Sequence, residues 1–254
     1  MTDSATEAVE HDVETALARA VVYRLLGGAF GYPSPVGLGE LERLAVAAAG
    51  GPLGVSPLRE LLLGLVEAAH QADAGELAHE YVFLFDRQVR CPPYEGAYGE
   101  AQQMAGKAPQ LADVAGFYAA FGLEAAAARP DAEDHIAAEL EFMSALALKE
   151  SYLLAEGDEE GLEVTRQAQV RFLGDHLGRW VEALADSLKE ATALPYYSAV
   201  GDLLTEWVRA DVSRLGATPV RTERPVGQDP LQEDAFTCPM AAPEPVVEED
   251  PPAG

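Results

Sequence analysis

The feature that most constrains the fold of this chain is the recurrence of apolar residues every three or four positions along most of its length. The repeat is clearest in two stripes, which consist of Val13, Leu17, Val21 and Leu25, and of Leu173, Leu177, Trp180, Leu184 and Leu188. Residues at this spacing share one face of an α-helix. The segment YVFLF (81–85) is the best strand candidate by composition. Because no second strand candidate is available to pair with it, we interpret it as buried helix. The sequence therefore predicts an all-α fold, a single globular bundle of about ten helices.

Two changes in composition divide the chain. Gly122 and the stretch that ends at Pro130 interrupt the helical pattern. From Ala217 onward the chain is rich in proline and acidic residues, a composition typical of disorder. We therefore predict a helical domain over residues 1–216 and a disordered tail over residues 217–254.

The charge balance excludes several partners. The chain carries 17 Lys and Arg against 43 Asp and Glu, a formal net charge of −26. Such a surface repels nucleic acid and anionic lipid, so we expect neither as a partner. No run of about 18 apolar residues is present, so we expect no stable membrane insertion. The acidic N-terminal segment lacks the apolar stretch of a signal peptide, and we expect a cytoplasmic location. Cys91 and Cys238 are far apart in the sequence, which indicates neither a disulfide framework nor a zinc site.

The segment DHIAAELEFM (134–143) places polar groups beside an apolar helix face. On a helical wheel His135, Glu139 and Phe142 form one stripe, next to the apolar side of the same helix. Asp134 has a structural interpretation, because Asp131 resembles an N-cap and Asp134 would then lie in the first helical turn. His135 is equally compatible with a partly buried imidazole that is bonded to Glu139 or to the backbone.

Enzymatic interpretations are open but less well supported. His135 and Glu139 have a spacing compatible with two metal ligands, and Glu76 and His79 form one ExxH pair. A carboxylate-bridged di-iron bundle needs two such pairs, and only one is present. No phosphate-binding loop, dinucleotide fingerprint or GxSxG elbow occurs. We interpret Cys91 as an ordinary loop thiol, and we expect His176 to pack at the edge of the core.

Taken together, five segments of the chain resemble the TorD/DmsD family of redox-enzyme maturation chaperones. In chain order they are YRLLGGAFGYPS (23–34), YVFLF (81–85), CPPYEGAY (91–98), DHIAAELEFM (134–143) and FLGDHLGRWVEAL (172–184). The resemblance covers most of residues 10 to 212. It implies an all-helical protein with an N-terminal part (8–121), a hinge (122–130) and a C-terminal part (131–216).

The resemblance also implies a function without enzymatic activity. Members bind the apo form of a molybdoenzyme of the DMSO reductase class, often through its twin-arginine leader, and delay its export by the Tat machinery until the cofactor is inserted. The molybdopterin cofactor belongs to the client, so we expect none in this chain. We expect a monomer or a helix-exchanged dimer. The residues that the resemblance assigns to client binding are Tyr94, Glu95, Asp134, His135, Glu139 and Phe142.

The chemistry of these residues agrees with that assignment. A twin-arginine leader combines two guanidinium groups with a short apolar run. Carboxylates of Asp134, Glu139 and Glu95 would bind the guanidinium groups. Aromatic side chains, with Tyr81 a further candidate, would form the apolar part of a groove. A helical metalloenzyme and a generic helical adaptor are the alternatives. Bound metal would distinguish the first, and equal binding to leaders with and without the arginine pair would distinguish the second.

Overall fold

The structure is a computed structural model that describes residues 2–86, 90–98, 104–123 and 133–222. Within these ranges it contains nine α-helices and no β-strand, which confirms the predicted all-α fold. The helices are α1 (Thr2–Ala29), α2 (Pro35–Gly50), α3 (Leu58–Gln71), α4 (Ala74–Tyr81), α5 (Met104–Ala120), α6 (Ile136–Glu156), α7 (Glu159–Phe172), α8 (Gly178–Ala191) and α9 (Pro195–Leu215). None of these described helices is both long and apolar enough to cross a bilayer.

Two π-helical turns interrupt the regular α-helices, at Val82–Asp86 and at Leu173–Leu177. The first, Val82–Asp86, continues α4, and its Leu84 and Phe85 are buried, as the interpretation of this segment as buried helix requires. The second, Leu173–Leu177, joins α7 to α8. The predicted apolar stripe from Leu173 to Leu188 therefore covers this π turn and α8, and the chain is already helical from Glu159. A π turn shifts the phase of the helix. The stripe that begins at Leu173 is therefore out of register with the apolar residues of α7, and the sequence pattern does not show that the two helices are continuous.

Helix α1 packs along α6, and the contact is close at Gly27. A Cβ atom at this position would lie 3.5 Å from the Ala137 carbonyl oxygen and 3.7 Å from the Leu140 Cβ. The buried face of α1 includes Tyr23, which is fully buried, whereas Leu17 of the predicted stripe is 41% exposed. The predicted stripe is displaced from the real one because α1 also packs against α2 and α9 and so buries more than one face.

A buried ionic network ties four helices together around Arg19 of α1, which is 2% exposed. Its guanidinium donates to both carboxylate oxygens of Asp211 (2.7 and 3.0 Å), to Glu150 (2.6 Å) and to Gln169 (2.5 Å). The Tyr23 hydroxyl donates a further bond of 2.7 Å to Asp211. Because these partners lie on α6, α7 and α9, one side chain fixes the relative positions of four elements.

One continuous apolar core contains residues from both predicted parts of the domain. Residues 124–130 of the predicted hinge lie outside the described residues, so the division into two parts stays a prediction. Of the predicted tail, residues 217–222 are described. Ala217 is buried, and the Thr222 amide donates to the Arg179 carbonyl (2.9 Å). This bond joins the segment 217–222 to the start of α8, and residues 223–254 lie outside the described part.

Candidate functional site

The CPPYEGAY segment pairs with the chain that leads into α6. The Glu95 amide donates to the Asp134 carbonyl (2.9 Å), and the Ile136 amide donates to the Pro93 carbonyl (2.8 Å). These two bonds form an isolated antiparallel bridge. We call residues 90–98 the motif loop. The bridge brings the motif loop to the DHIAAELEFM segment, two stretches that are almost forty residues apart in the sequence.

The Asp134 side chain strengthens this pairing. Its Oδ2 accepts a hydrogen bond of 3.0 Å from the Gly96 amide, and Asp134 is only 2% exposed. The next residue, His135, is the N-cap of α6, where its Nδ1 accepts from the Ala137 amide (3.1 Å). The bridge holds His135 in an extended conformation, with φ −74° and ψ 137°, which sets where the helix begins.

The predicted capping role of Asp134 is therefore wrong. Helix α6 begins at Ile136, so Asp134 lies before the helix and not in its first turn. Its carboxylate instead accepts a hydrogen bond from the Gly96 amide of the motif loop. Asp131, the predicted N-cap, lies outside the described residues. His135 is a buried imidazole bonded to the backbone, one of the two arrangements that the sequence left open.

Glu139 lies one turn into α6 and is fully buried. Its Oε2 accepts a hydrogen bond of 3.1 Å from the Trp180 indole nitrogen. Its Oε1 has no hydrogen-bond partner within the described part of the chain. Burial raises the pKa of Glu139 well above its ordinary value, and the nearby carboxylates of Glu95 and Asp134 raise it further. Burial and the two neighbouring carboxyl groups both favour the neutral, protonated form of the Glu139 carboxyl group.

Glu95 is buried on the opposite side of the site, against His176. The two side chains meet at 3.1 Å between Glu95 Oε2 and His176 Nδ1. His176 Nε2 lies 3.3 Å from Asp113 Oδ2 on α5, close enough for an ionic contact but without hydrogen-bond geometry. The sequence predicted that His176 packs at the edge of the core. The residue is instead 2% exposed and lies inside the site. The π turn rotates it inward.

Aromatic rings enclose these polar groups. The Tyr94 and His135 rings meet edge to face at a centroid distance of 5.2 Å. On the other side of the site, the Tyr98 ring lies 5.2 Å from Trp180. The Tyr118 hydroxyl donates to the Glu133 carbonyl (2.8 Å). Burial raises the pKa of Tyr118 above its ordinary value, and among the neighbouring carboxyl groups Glu139 contributes most to that increase.

Phe142 is a core residue. It is 3% exposed and packs against the rings of Tyr118 and Phe172, at centroid distances of 4.8 and 4.7 Å. Tyr81 lies apart from the cluster, with its ring 5.4 Å from that of Tyr32. These positions do not place either side chain on an open groove beside the carboxyl groups.

The structure thus gathers the three predicted acids in one place, but it buries them. Glu95 is 3% exposed, Asp134 is 2% exposed and Glu139 is fully buried. Tyr94 is the predicted site residue that keeps a partly exposed side chain. We call Glu95, Asp134, Glu139 and His176 the buried acidic cluster. Their role in binding stays a prediction.

Two members of the site, His176 and Trp180, were missed as functional candidates. They lie one helical turn apart in FLGDHLGRWVEAL, the segment that supported the family resemblance. Both carry side-chain N–H groups that can bond a carboxyl group, and this property could have marked them as partners of Glu95 and Glu139. Within the described residues, no group of three or more His, Cys, Asp or Glu side chains is placed to hold a metal ion. Glu76 and His79 of the ExxH pair line a separate surface cavity of about 510 Å³.

Comparisons with known proteins give a consistent picture. The family model of the nitrate reductase delta subunit matches residues 54–186. The chain is 32% identical over 143 residues to the chaperone protein TorD of Photobacterium profundum, and this match covers 55% of the chain and 64% of that protein. It is 28% identical over 224 residues to a perchlorate reductase assembly chaperone protein of Dechloromonas aromatica, with coverages of 82% and 95%.

A solved structure is also similar. The crystal structure of a protein from Archaeoglobus fulgidus, provisionally described as a redox enzyme maturation protein, aligns with a TM-score of 0.47 and 21% identity. The alignment covers 75% of this chain and 93% of the other.

Proposed function

Since this chain belongs to the TorD/DmsD family of redox-enzyme maturation chaperones, whose family model is that of the nitrate reductase delta subunit, we propose that it is the assembly chaperone of a molybdoenzyme of the DMSO reductase class. It binds the apo form of the client's catalytic subunit, its twin-arginine leader, or both. It keeps the client in the cytoplasm until the molybdopterin cofactor is inserted. The chaperone itself carries no cofactor and catalyses no reaction.

The observation that carries this proposal is the convergence of three carboxyl groups from two separate motif segments. Glu95 comes from the motif loop, and Asp134 and Glu139 come from the start of α6. Burying carboxyl groups next to one another costs free energy, because each loses its hydration and the charges repel. Apolar side chains would hold the loop and the helix together at lower cost. An arrangement that is unfavourable for stability points to a role in binding.

The cluster also has the composition that an arginine-rich ligand requires. A guanidinium group presents five N–H donors in one plane, and two of them can donate parallel hydrogen bonds to the two oxygens of one carboxylate. Aromatic rings such as those of Tyr94 and Trp180 provide flat surfaces on which a guanidinium can stack. The acidic surface of the whole chain, with its net charge of −26, draws a basic leader towards the site over long distances.

The approach to the cluster is from the side of the motif loop. Tyr94 is partly exposed, and the Asp113 side chain beside His176 is 66% exposed. A client first meets these two outer residues. It reaches the buried carboxyl groups once the loop has moved away from Asp134, because the loop carries Glu95 and covers the site. Binding in this proposal therefore includes a local opening of the loop.

Calorimetric titration of a synthetic twin-arginine leader into the full chain tests the proposal. We expect micromolar binding that weakens when both arginines are replaced by lysine, since lysine lacks the planar fork of donors. His135→Ala should weaken binding, and His70→Ala on α3, where the side chain is exposed, is the matched control. Equal binding of the arginine and lysine peptides would show that the chain is an adaptor without leader specificity.

A second experiment separates the leader from the body of the client. The chaperone is co-expressed with the client's catalytic subunit, with and without its leader, in cells that do or do not make the molybdopterin cofactor. We expect co-purification with the cofactor-free form and its loss once cofactor is present. Co-purification with the fully loaded enzyme only would contradict a role in assembly.

A further inference from the structure

Glu139 is the fully buried carboxyl group of the buried acidic cluster, and its hydrogen bonding is incomplete. Its side chain is fully buried, one carboxyl oxygen accepts from Trp180, and the other has no hydrogen-bond partner in the described ranges. A buried polar atom without a partner costs free energy and is rare in folded proteins. Here it faces a site that already contains Glu95 and Asp134. A ligand with several N–H donors would supply the missing bond.

We infer that Glu139 is a proton-coupled arginine receptor: it is a neutral carboxylic acid in the free chaperone and becomes a carboxylate when a client arginine enters the cluster. This inference rests on the proposed function and assigns a specific step to it. The balance of the step is simple. The O–H bond of the Glu139 carboxyl group breaks, its proton passes to the solvent, and the carboxylate accepts hydrogen bonds from the arriving guanidinium.

The groups around Glu139 explain why the free site favours the neutral acid. The carboxyl group of Glu95 faces it from the motif loop, that of Asp134 from the segment before α6, and the phenol of Tyr118 from α5. From α8 it receives the neutral N–H of Trp180. The imidazole of His176 is engaged with Glu95 and Asp113. An ionised Glu139 would thus add a negative charge to an already negative, buried site.

A guanidinium reverses this balance. Its positive charge offsets the repulsion between the carboxyl groups and stabilises the ionised form of Glu139. The same linkage works in the other direction, so the affinity for an arginine ligand must rise with pH for as long as free Glu139 is protonated. Release of one proton corresponds to about a tenfold gain in affinity for each pH unit. Lysine offers a charge but not the planar set of donors, so its coupling should be weaker.

The test is calorimetric titration of the synthetic twin-arginine leader at pH 7 in two buffers with different ionisation enthalpies. We expect the difference in heat to correspond to release of about one proton per peptide bound to the wild-type chain. Glu139→Gln keeps the acceptor for Trp180 but cannot ionise, so it should bind with equal heat in both buffers. Glu141→Gln on the exposed face of α6 should release the proton as the wild type does.

Each other outcome is decisive. Binding without proton release by the wild-type chain would overturn the inference and leave the proposed function in place. Absence of binding would overturn the inference and the leader-binding part of the proposed function, and it would leave recognition of the client's catalytic subunit to the co-expression experiment. Equal proton release with the lysine peptide would assign the coupling to charge alone and overturn the role of the guanidinium. Infrared spectroscopy of the wild-type chain gives a readout without any variant: the C=O band of a protonated buried acid should disappear when the leader is added, and its persistence would contradict the inference.

Discussion

The carboxylate of Asp134 accepts the amide proton of Gly96 at 3.0 Å, across a gap of 38 residues in the sequence. The Asp134 carbonyl accepts the preceding amide, that of Glu95, at 2.9 Å. One residue thus holds two consecutive amides of the motif loop, and both bonds are shielded from water. This clasp positions Glu95 and closes the loop over the buried acidic cluster.

Removing the clasp should loosen the loop. Asp134→Ala leaves the buried Gly96 amide without its acceptor, which should lower the free energy of unfolding by about 1 to 3 kcal/mol. Asp134→Asn retains a side-chain oxygen and should lose less. Urea unfolding measures the stability, and hydrogen exchange should show faster exchange of the Gly96 amide in the alanine variant. Unchanged exchange at Gly96 would contradict the role of Asp134 as a clasp.

Glu139 should give the chaperone a stability that falls as pH rises. Its pKa is raised in the folded state, so between the ordinary carboxyl pKa and the raised value the folded chain holds a proton that the unfolded chain has lost. Stability is full below the unfolded pKa and declines above it, by about 1.4 kcal/mol per pH unit for one group. Denaturant unfolding from pH 5 to 8 should show this decline for the wild type relative to Glu139→Gln. Parallel pH profiles of the two proteins would rule out a raised pKa.

The Arg19 network should be the most sensitive point of the bundle. Arg19→Ala leaves Asp211 buried without its cation and leaves Glu150 with Arg166 alone, at 2.7 Å. We expect a loss of about 3 to 5 kcal/mol. The matched control is Arg24→Ala on the same helix, where the side chain is 69% exposed and lies 3.8 Å from Glu40. The control should change stability by less than about 0.5 kcal/mol. Thermal unfolding compares the stability of the two variants. Equal losses would show that the buried network contributes no more stability than the exposed ion pair of Arg24.

Cys91 offers a chemical measure of loop opening. It is fully buried in the motif loop, and burial raises the pKa of its thiol to about 12. Since the thiolate is the reactive form, a thiol reagent at pH 8 should modify folded protein far more slowly than unfolded protein. A Cys238→Ser background leaves Cys91 as the only thiol. Asp134→Ala should accelerate the reaction by freeing the loop, and a rate equal to that of the wild type would show that the loop opens independently of the clasp.

Several features of the fold could be predicted from local sequence. The 3.6-residue apolar repeat predicted the helices, because side chains on a face that packs against the core must recur with the helical period. Local chemistry also accounts for two helix ends. Gly157, which ends α6, and Gly216, which ends α9, both adopt positive φ of 71°, a conformation that costs glycine little.

The start of α6 could not be predicted in the same way. Local rules place a cap at Asp131, but the bridge between the motif loop and residues 134–136 holds His135 in an extended conformation and delays the helix to Ile136. A backbone segment that pairs with a distant strand-like loop cannot also be helical. The same non-local pairing converts Asp134 from a candidate helix cap into an anchor for the loop.

By itself, then, the sequence determined the helical class, the approximate helices, the family and the residues worth attention, because periodicity and motif order depend on neighbours along the chain. Only the tertiary structure decided that Glu95, Asp134 and Glu139 share one buried site, that a π turn points His176 into it, and that Arg19 joins four helices. Those facts depend on contacts between residues far apart in sequence. The free energy of a buried charge is set by the groups around it in space, and the order of residues along the chain does not specify them.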